Sequence, residues 1–398
     1  MTSGARHYSD ADERAILDAI SKWLGNDVAP HVLQMEHDDE YPHAMVERMQ
    51  AFGLFGATIS PDYGGLGLTA STYAKIVALI AEQWMSLSGI FNSHLMMARI
   101  VEKHGTDFQK EYWLPKFVSG EIRGGLALTE ANAGTDLQGI RTRAVRNASG
   151  NYTVNGTKTW ISNGIEGGAV ALLVKTDWNV NPAHKGMTML IAPKVDPDTG
   201  TPHSGFITGR KLEKLGYKGI DSAELVFDNY NLDAKRHLVG GKEGQGFYMA
   251  VGGLELGRIN IAARSVGVSR RALAESTAYA QTRETFGQPI AQHQAIALKL
   301  GEMATRTRAA ELMTEDAARA YDAGERCDME AGMAKFFASE AALENATEAM
   351  RIHGAYGYSK EYPIERLYRD APLLCIGEGT NEMQRLIIAK QLLARNPV

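Results

Sequence analysis

The sequence predicts a multidomain α+β fold in which a helical region, a β region and a second helical region follow one another. Three observations predict it. Apolar residues recur at helical spacing over about residues 10–122. Short alternating runs rich in β-branched and aromatic residues fill about 126–236, and an Ala-, Leu-, Glu- and Arg-rich stretch with few breakers runs from about 240 to Gly354. At 398 residues the chain exceeds one ordinary core, so two or three domains are expected. The changes of texture place them at 1–124, 125–238 and 239–398.

In the first region Ile16, Leu17, Ile20, Trp23 and Leu24 share one helical face, as do Tyr73, Ile76, Val77 and Ile80. A Gly-rich connector, Pro61–Leu68, interrupts the helices. In the β region Tyr152–Ile161 reads as a hairpin turning at Asn155-Gly156, a pair that favours the positive φ values of a tight turn. Val170–Val174 and Met187–Ile191 read as further strands. The third region holds strong helix formers, the mark of long packed helices.

Composition excludes several classes. With 44% hydrophobic and 22% charged residues the chain reads as globular, and a net charge of −5 gives no basic footprint for nucleic acid. Two cysteines, Cys327 and Cys375, cannot build a disulfide framework and point to a reducing compartment. The first ten residues lack an apolar signal core and the Arg-rich, acid-poor character of a transit peptide. No 18-residue apolar run is read, so no membrane span is expected and the cytoplasm is the expected location.

Some motifs are discounted. The Gly-rich segments at 64–67 and 240–246 do not match G-x-G-x-x-G at the start of a βαβ unit, which argues against a Rossmann site. His31, His37, Asp38, Asp39, Glu40 and His43 have metal-binding composition without metal-ligand spacing, so a solvated loop is expected and no metal. His94, His104 and His353 read as packing or hydrogen-bonding residues.

The most informative stretch is Ile376–Glu382, where Glu378 sits between Gly377 and Gly379 after an apolar run. Flanking glycines permit close backbone approach to a ligand, and apolar surroundings raise a carboxylate's pKa toward that of a useful base. By itself the segment reads equally as a helix-cap glutamate in a turn.

Five motifs decide between these readings: LALTEANAGTD at 126–136, NGTKTWISNG at 155–164, RETFGQPIAQHQ at 283–294, HGAYGY at 353–358 followed by Tyr362-Pro363 and Arg366–Asp370, and EGTNEMQR at 378–385. In this order and spacing, over essentially the whole chain, they are similar to those of the acyl-CoA dehydrogenase family. The resemblance implies an N-terminal α-domain, a small central β-domain of barrel or sandwich type and a C-terminal four-helix bundle. It also implies FAD lying extended between subunits, which explains a flavoprotein without a dinucleotide fingerprint.

The implied reaction is α,β-dehydrogenation of an acyl-CoA to the trans-2-enoyl-CoA, with Glu378 as base and hydride passing to flavin N5. The Glu378 backbone N–H and a flavin hydroxyl stabilise the thioester oxygen, and an electron-transfer flavoprotein accepts the electrons. Some branches carry the base just before the arginine matched by Arg258, where this chain has glycine. Glu255 is expected at the CoA end or in solvent, and Arg258 either orders the pocket or is a buried ion-pair partner. Gly377 and Gly379 flank the substrate. Gly377 stands where straight-chain members carry tyrosine, so a short-to-medium acyl group is expected, branched, cyclic or substituted ones included. The position of a glutaryl-type arginine falls near Ser86, which disfavours a glutaryl-type decarboxylating activity.

For FAD, Leu128 and Thr129 match the contacts to the flavin pyrimidine, Gly134 and Thr135 those to the pyrophosphate, and Trp160 and Ser162 the groups beside the isoalloxazine. Arg283, Phe286 and Gln294 match residues donated to a neighbouring subunit's FAD. Arg351, Gly354, Thr380 and Glu382 hold further cofactor positions, although the family often has glutamine at the first and last. A homotetramer built as a dimer of dimers follows. The alternatives are an acyl-CoA oxidase or flavin monooxygenase on the same fold, or a non-catalytic, DNA-associated binding protein.

Overall fold

The helices of the N-terminal region begin where the sequence supplies caps. Helix α1 (Asp10–Trp23) follows Ser9 and α5 (Asp107–Val118) follows Thr106, each in a capping box that satisfies otherwise unpaired N–H groups. Between them lie α2 (Val32–Asp38), α3 (His43–Ala51) and the long α4 (Ala70–His104), capped by Thr69. The computed structural model describes residues 7–252 and 254–397, so the targeting-signal reading of residues 1–6 falls outside the described residues.

Two expectations change in this region. The histidine-rich segment is helical over α2 and the start of α3 rather than a solvated loop, because Glu36 is buried and accepts from the Trp84 indole, and His37 bonds Glu365. Helix α4 holds an 18-residue window of mean hydropathy 1.2, long and apolar enough to cross a membrane by composition. Of that window 78% is buried inside the protein, which accounts for its character as core rather than span. The helix breaks at Trp84 (φ −151°, ψ 107°).

Strands β1 (Gly124–Ala127), β2 (Arg143–Arg146), β3 (Tyr152–Ser162), β4 (Ala169–Lys175), β5 (Met187–Pro193), β6 (Phe206–Lys211) and β7 (Ser222–Leu232) form one mixed sheet in the order β1-β4-β2-β3-β7-β6, with β5 also on β4. The sheet buries its own core, with Tyr152, Leu172, Leu190, Leu225 and Tyr230 at its centre. The expected hairpin at Asn155-Gly156 is absent. There β3 runs straight through, antiparallel to β7, with a register shift between Val154 and Gly156. Glycine is needed because a Cβ would lie 2.6 Å from the Thr142 Cα. The turn that joins β2 to β3 is 147–151 instead.

After α6 (Ala234–His237) and α7 (Gly246–Val251), α8 (Leu254–Thr282) leads to a small hairpin of β8 (Glu284–Thr285) and β9 (Gln288–Pro289). Helices α9 (Gln294–Asp322), α10 (Asp328–His353), α11 (Ile364–Ile376) and α12 (Asn381–Arg395) complete the chain. Helix α10 buries a stripe of alanines (Ala331, Ala334, Ala338, Ala342 and Ala346), so α8, α9 and α12 pack closely around it as a bundle. Helix α8 also packs along α4. Gly267 allows this, since a Cβ there would stand 2.4 Å from the Ala78 carbonyl oxygen.

His94 bonds the Phe117 carbonyl at 2.9 Å and His237 that of Ile191 at 2.9 Å, both in the core. Burial pushes both imidazoles down to about 4 from 6.5, so the folded protein holds them neutral. As pH falls below 6.5 the unfolded chain takes up these protons first. The stability they contribute is complete above that value and is lost toward pH 4. Thermal unfolding should therefore show melting temperature falling through this window. His237→Gln should flatten the slope by about one proton, and an unchanged slope would exclude this account.

Candidate active site

Glu378 lies in the turn between α11 and α12, and the backbone there is unusual. Gly377 has an ordinary φ of −68°, whereas Glu378 itself takes φ 55° and Gly379 φ 85°. A non-glycine residue in the left-handed region costs about 1–3 kcal/mol, so its surroundings must hold it. Gln384 Nε2 donates to the Gly379 carbonyl at 3.1 Å and reaches the Glu378 carbonyl at 3.5 Å. Lys335, fully buried on α10, donates to the Cys375 carbonyl at 3.2 Å and to Asn381 Oδ1 at 2.8 Å. The turn is thus clamped at both ends.

The carboxyl is pushed above its ordinary range by burial, opposed by Arg264, Lys335 and Arg258 in that order. A Cβ built on Gly257 would lie 3.1 Å from Glu378 Oε2 and 3.6 Å from Met96 Cε. The carboxyl therefore sits in the seam between α4 and α8, facing the helix position just before Arg258. A Cβ on Gly377 meets only Leu373, its carbonyl oxygen at 3.3 Å and its Cδ1 at 3.9 Å, so the space beside the Glu378 turn is open.

Glu255 is two residues, about 200°, from Gly257 around α8. Its charge acts on Arg258 and Cys327, toward the start of α10, rather than on Glu378. Arg258 is buried, and its Nη1 reaches the Asp328 carbonyl at 3.5 Å. Arg99 pairs with Glu102, and Ser86, near the expected position of a glutaryl-type arginine, is buried.

A second constellation lies on the sheet. The Leu128 carbonyl accepts from Lys158 at 2.9 Å and the Thr129 carbonyl from the Thr159 N–H at 3.0 Å, tying the 128–130 segment to β3. Lys158 also pairs with the buried Glu130 at 2.9 Å. Immediately beyond, β3 shifts register between Lys158 and Ile161, and the shift turns Trp160 outward with φ 61° and 57% of its surface exposed. A core role for this indole is excluded. Ser162 is half-buried next to it, and Gly134 and Thr135 are exposed, with nothing within 4 Å of a Cβ at Gly134.

The remaining predicted residues sit apart. Arg283 and Phe286 are on the β8–β9 hairpin, Phe286 97% exposed with φ 53°. Gln294 begins α9 and lines an open concavity of about 600 Å³. Arg351 is exposed and held by Glu348 at 2.5 Å, so the expected cofactor contact would require that pair to open. Gly354 caps α10 with φ 59°. Thr380 caps α12 by accepting from the Met383 N–H, and Glu382 is exposed in its first turn.

Sequence reasoning missed Lys335, Gln384 and Arg264. A signal existed for two of them. Lys335 interrupts the alanine stripe, and Arg264 lies seven residues from Gly257, hence on its face of α8, within an apolar run.

Three family models match consecutive parts of the chain: the acyl-CoA dehydrogenase N-terminal domain at 10–121, the middle domain at 125–230 and the C-terminal domain at 244–393. The chain belongs to the acyl-CoA dehydrogenase family. It is 39% identical to an acyl-CoA dehydrogenase of Bacillus subtilis, over 94% of this chain and 96% of that protein. It is 36% identical to the (2S)-methylsuccinyl-CoA dehydrogenase of Cereibacter sphaeroides, over 96% of this chain and 70% of the relative. The structure of butyryl-CoA dehydrogenase from Megasphaera elsdenii is similar with a TM-score of 0.90 at 33% identity, covering 97% and 99% of the two chains.

The protein is an oxidoreductase acting on acyl-CoA and takes FAD. The residues present fit a flat aromatic group: an outward indole on a bulged strand, a hydroxyl beside it and a glycine with free space around it. Trp160→Ala is expected to weaken FAD retention at least tenfold, read from flavin absorbance after dialysis. Its melting temperature without flavin should be unchanged, because the indole is exposed. Undiminished retention would remove Trp160 from the site.

Proposed function

We propose that the protein catalyses α,β-dehydrogenation of a short-to-medium acyl-CoA, with Glu378 as the base. The observation that carries this reading is the Glu378 carboxylate, in a left-handed turn at the α4–α8 seam, opposite glycine at the alternative base position. Desolvation makes it a stronger base toward a weakly acidic α-carbon than an exposed glutamate would be. Among the described residues the Glu378 backbone N–H donates to no protein acceptor, so it is available to the thioester oxygen as negative charge develops there. Bound FAD supplies the hydride acceptor for the β-hydrogen. Trp160, Ser162, Thr129 and Thr135 would hold it against the sheet. The product is the trans-2-enoyl-CoA, and the reduced enzyme passes its electrons to an electron-transfer flavoprotein.

Open space beside Gly377 and relatives that act on butyryl-CoA and (2S)-methylsuccinyl-CoA support a short, branched or substituted acyl group. Turnover confined to long straight chains would refute it. Glu378→Gln should keep its yellow colour and lose at least about a thousandfold in rate with an artificial electron acceptor. In the wild type, kcat/KM should fall as pH drops through a pKa above 4.5, since only the ionised base works, and the variant should lose that limb. Near-normal turnover in Glu378→Gln would place the base elsewhere.

Helix length bears on the proposed assembly. Gly257, beside Glu378, and Arg283 stand at opposite ends of α8, 26 residues or about 39 Å apart. That separation supports the reading that the Arg283–Phe286 hairpin serves a neighbouring copy's cofactor, in the homotetramer, a dimer of dimers, that the family resemblance implies. Phe286→Ser should lower flavin occupancy and shift sedimentation toward smaller species. An unaltered assembly with full flavin would remove the hairpin from the interface.

A further inference from the structure

Beyond the base, the α4–α8 seam is lined by polar groups that an aliphatic acyl chain does not need. On α8, Asn260 and Arg264 follow Gly257 at helical spacing, one and two turns deeper. On α4, Asn92 and Ser88 lie one and two turns from Met96. Tyr73 bridges the helices, donating to Asn92 Oδ1 at 2.7 Å and accepting from Asn260 Nδ2 at 2.7 Å. Arg264 Nη1 donates to the Tyr217 hydroxyl at 2.9 Å, and Nη2 reaches the Ser88 carbonyl at 3.5 Å. Gly89 makes room for this arrangement, since a Cβ there would overlap the Tyr217 hydroxyl at 1.5 Å.

Every one of these side chains is more than nine-tenths buried. Yet Asn92 Nδ2 and Arg264 Nε have no protein partner, and among the described residues Arg264 pairs with no carboxylate within 4.0 Å. Glu378 acts on this guanidinium through space without a direct ion pair, and an orphaned buried donor costs about 1–3 kcal/mol. Both donors are satisfied when an anionic acceptor enters the seam. Asn260 Oδ1, also unpartnered, is an acceptor and takes no part in holding an anion.

We propose that the natural acyl group carries a carboxylate at the end remote from the thioester, received by Arg264 and Asn92. The proposal rests on the dehydrogenase reading and narrows it to a substrate class, the thioesters of short dicarboxylic acids. Arg264 stands about 10 Å from Gly257 along the helix, and its side chain leans back toward the helix N-terminus, so the span suits a short acyl group. Glu378 provides the base in the same seam, and the Arg264 charge also favours its ionised form.

The test compares chain-matched pairs on the holoenzyme with an artificial electron acceptor: succinyl-CoA against butyryl-CoA, and glutaryl-CoA against valeryl-CoA. The carboxylated member of at least one pair should have the higher kcat/KM by tenfold or more. Arg264→Gln should lower the carboxylated-to-neutral ratio at least tenfold, mainly through KM, and Asn92→Leu should lower it in the same direction. Preference of the wild type for both neutral thioesters would overturn the proposal and leave the dehydrogenase reading standing. Equal losses on both members of each pair in Arg264→Gln would likewise overturn it, assigning Arg264 to the base instead. No turnover of any thioester would overturn the dehydrogenase reading and this proposal with it.

Discussion

A carboxylate held in a backbone conformation it would not choose, at the seam of two long helices, is the constraint on which the rest of this structure turns. Glu378 is left-handed because the turn is pinned from outside itself, by Gln384 on one side and by the buried Lys335 on the other. Lys335 can lie at the bundle centre because its neighbours on α10 are small (Ala331, Gly332, Ala338 and Ser339), which leave space for its chain while the Cys375 carbonyl and Asn381 Oδ1 accept its hydrogen bonds. Burial pushes its pKa down to about 8, yet Cys375, Glu378 and Glu340 pull in favour of the charged form. The ammonium and the base thus hold one another in a low-dielectric setting, where each charge is worth more than in water.

The same economy governs the sheet. Lys158 and Glu130 form a buried ion pair whose cost is offset by hydrogen bonds to the Leu128 carbonyl and from the Arg141 and Thr142 N–H groups. That network fixes the loop 128–142 against β3, next to the register shift that exposes Trp160. A strained backbone and an exposed indole side by side indicate a surface shaped for a flat partner. The structure is consistent in this respect: its left-handed non-glycine residues include Trp160, Phe286 and Glu378, which fall at the sheet, the hairpin and the base.

Much of the fold was legible in the chain. The helical, β and helical order came from periodicity, and the caps at Ser9 and Thr106 follow from local chemistry that depends on a few adjacent residues. The hairpin at Asn155-Gly156 was misread because the dipeptide signals positive φ without saying what stands opposite. Close approach of Thr142 and pairing with β7, some 70 residues away, decided for a bulge. The histidine-rich segment was misread for a related reason. Its helices are stabilised by contacts of Glu36 and His37 with Trp84, Arg369 and Glu365, none of which is a sequence neighbour.

By itself the sequence determined the family and pointed to the candidate base and the motifs proposed to face the cofactor, because each depends on residue types at short, fixed spacings. The tertiary structure alone decided what surrounds that base. Gly257 opposite the carboxylate, Lys335 beneath its turn, and Asn92 and Arg264 along one seam come from three separate helices, α4, α8 and α10, none of them a sequence neighbour of the turn. Such neighbours are set by packing, which no local pattern encodes.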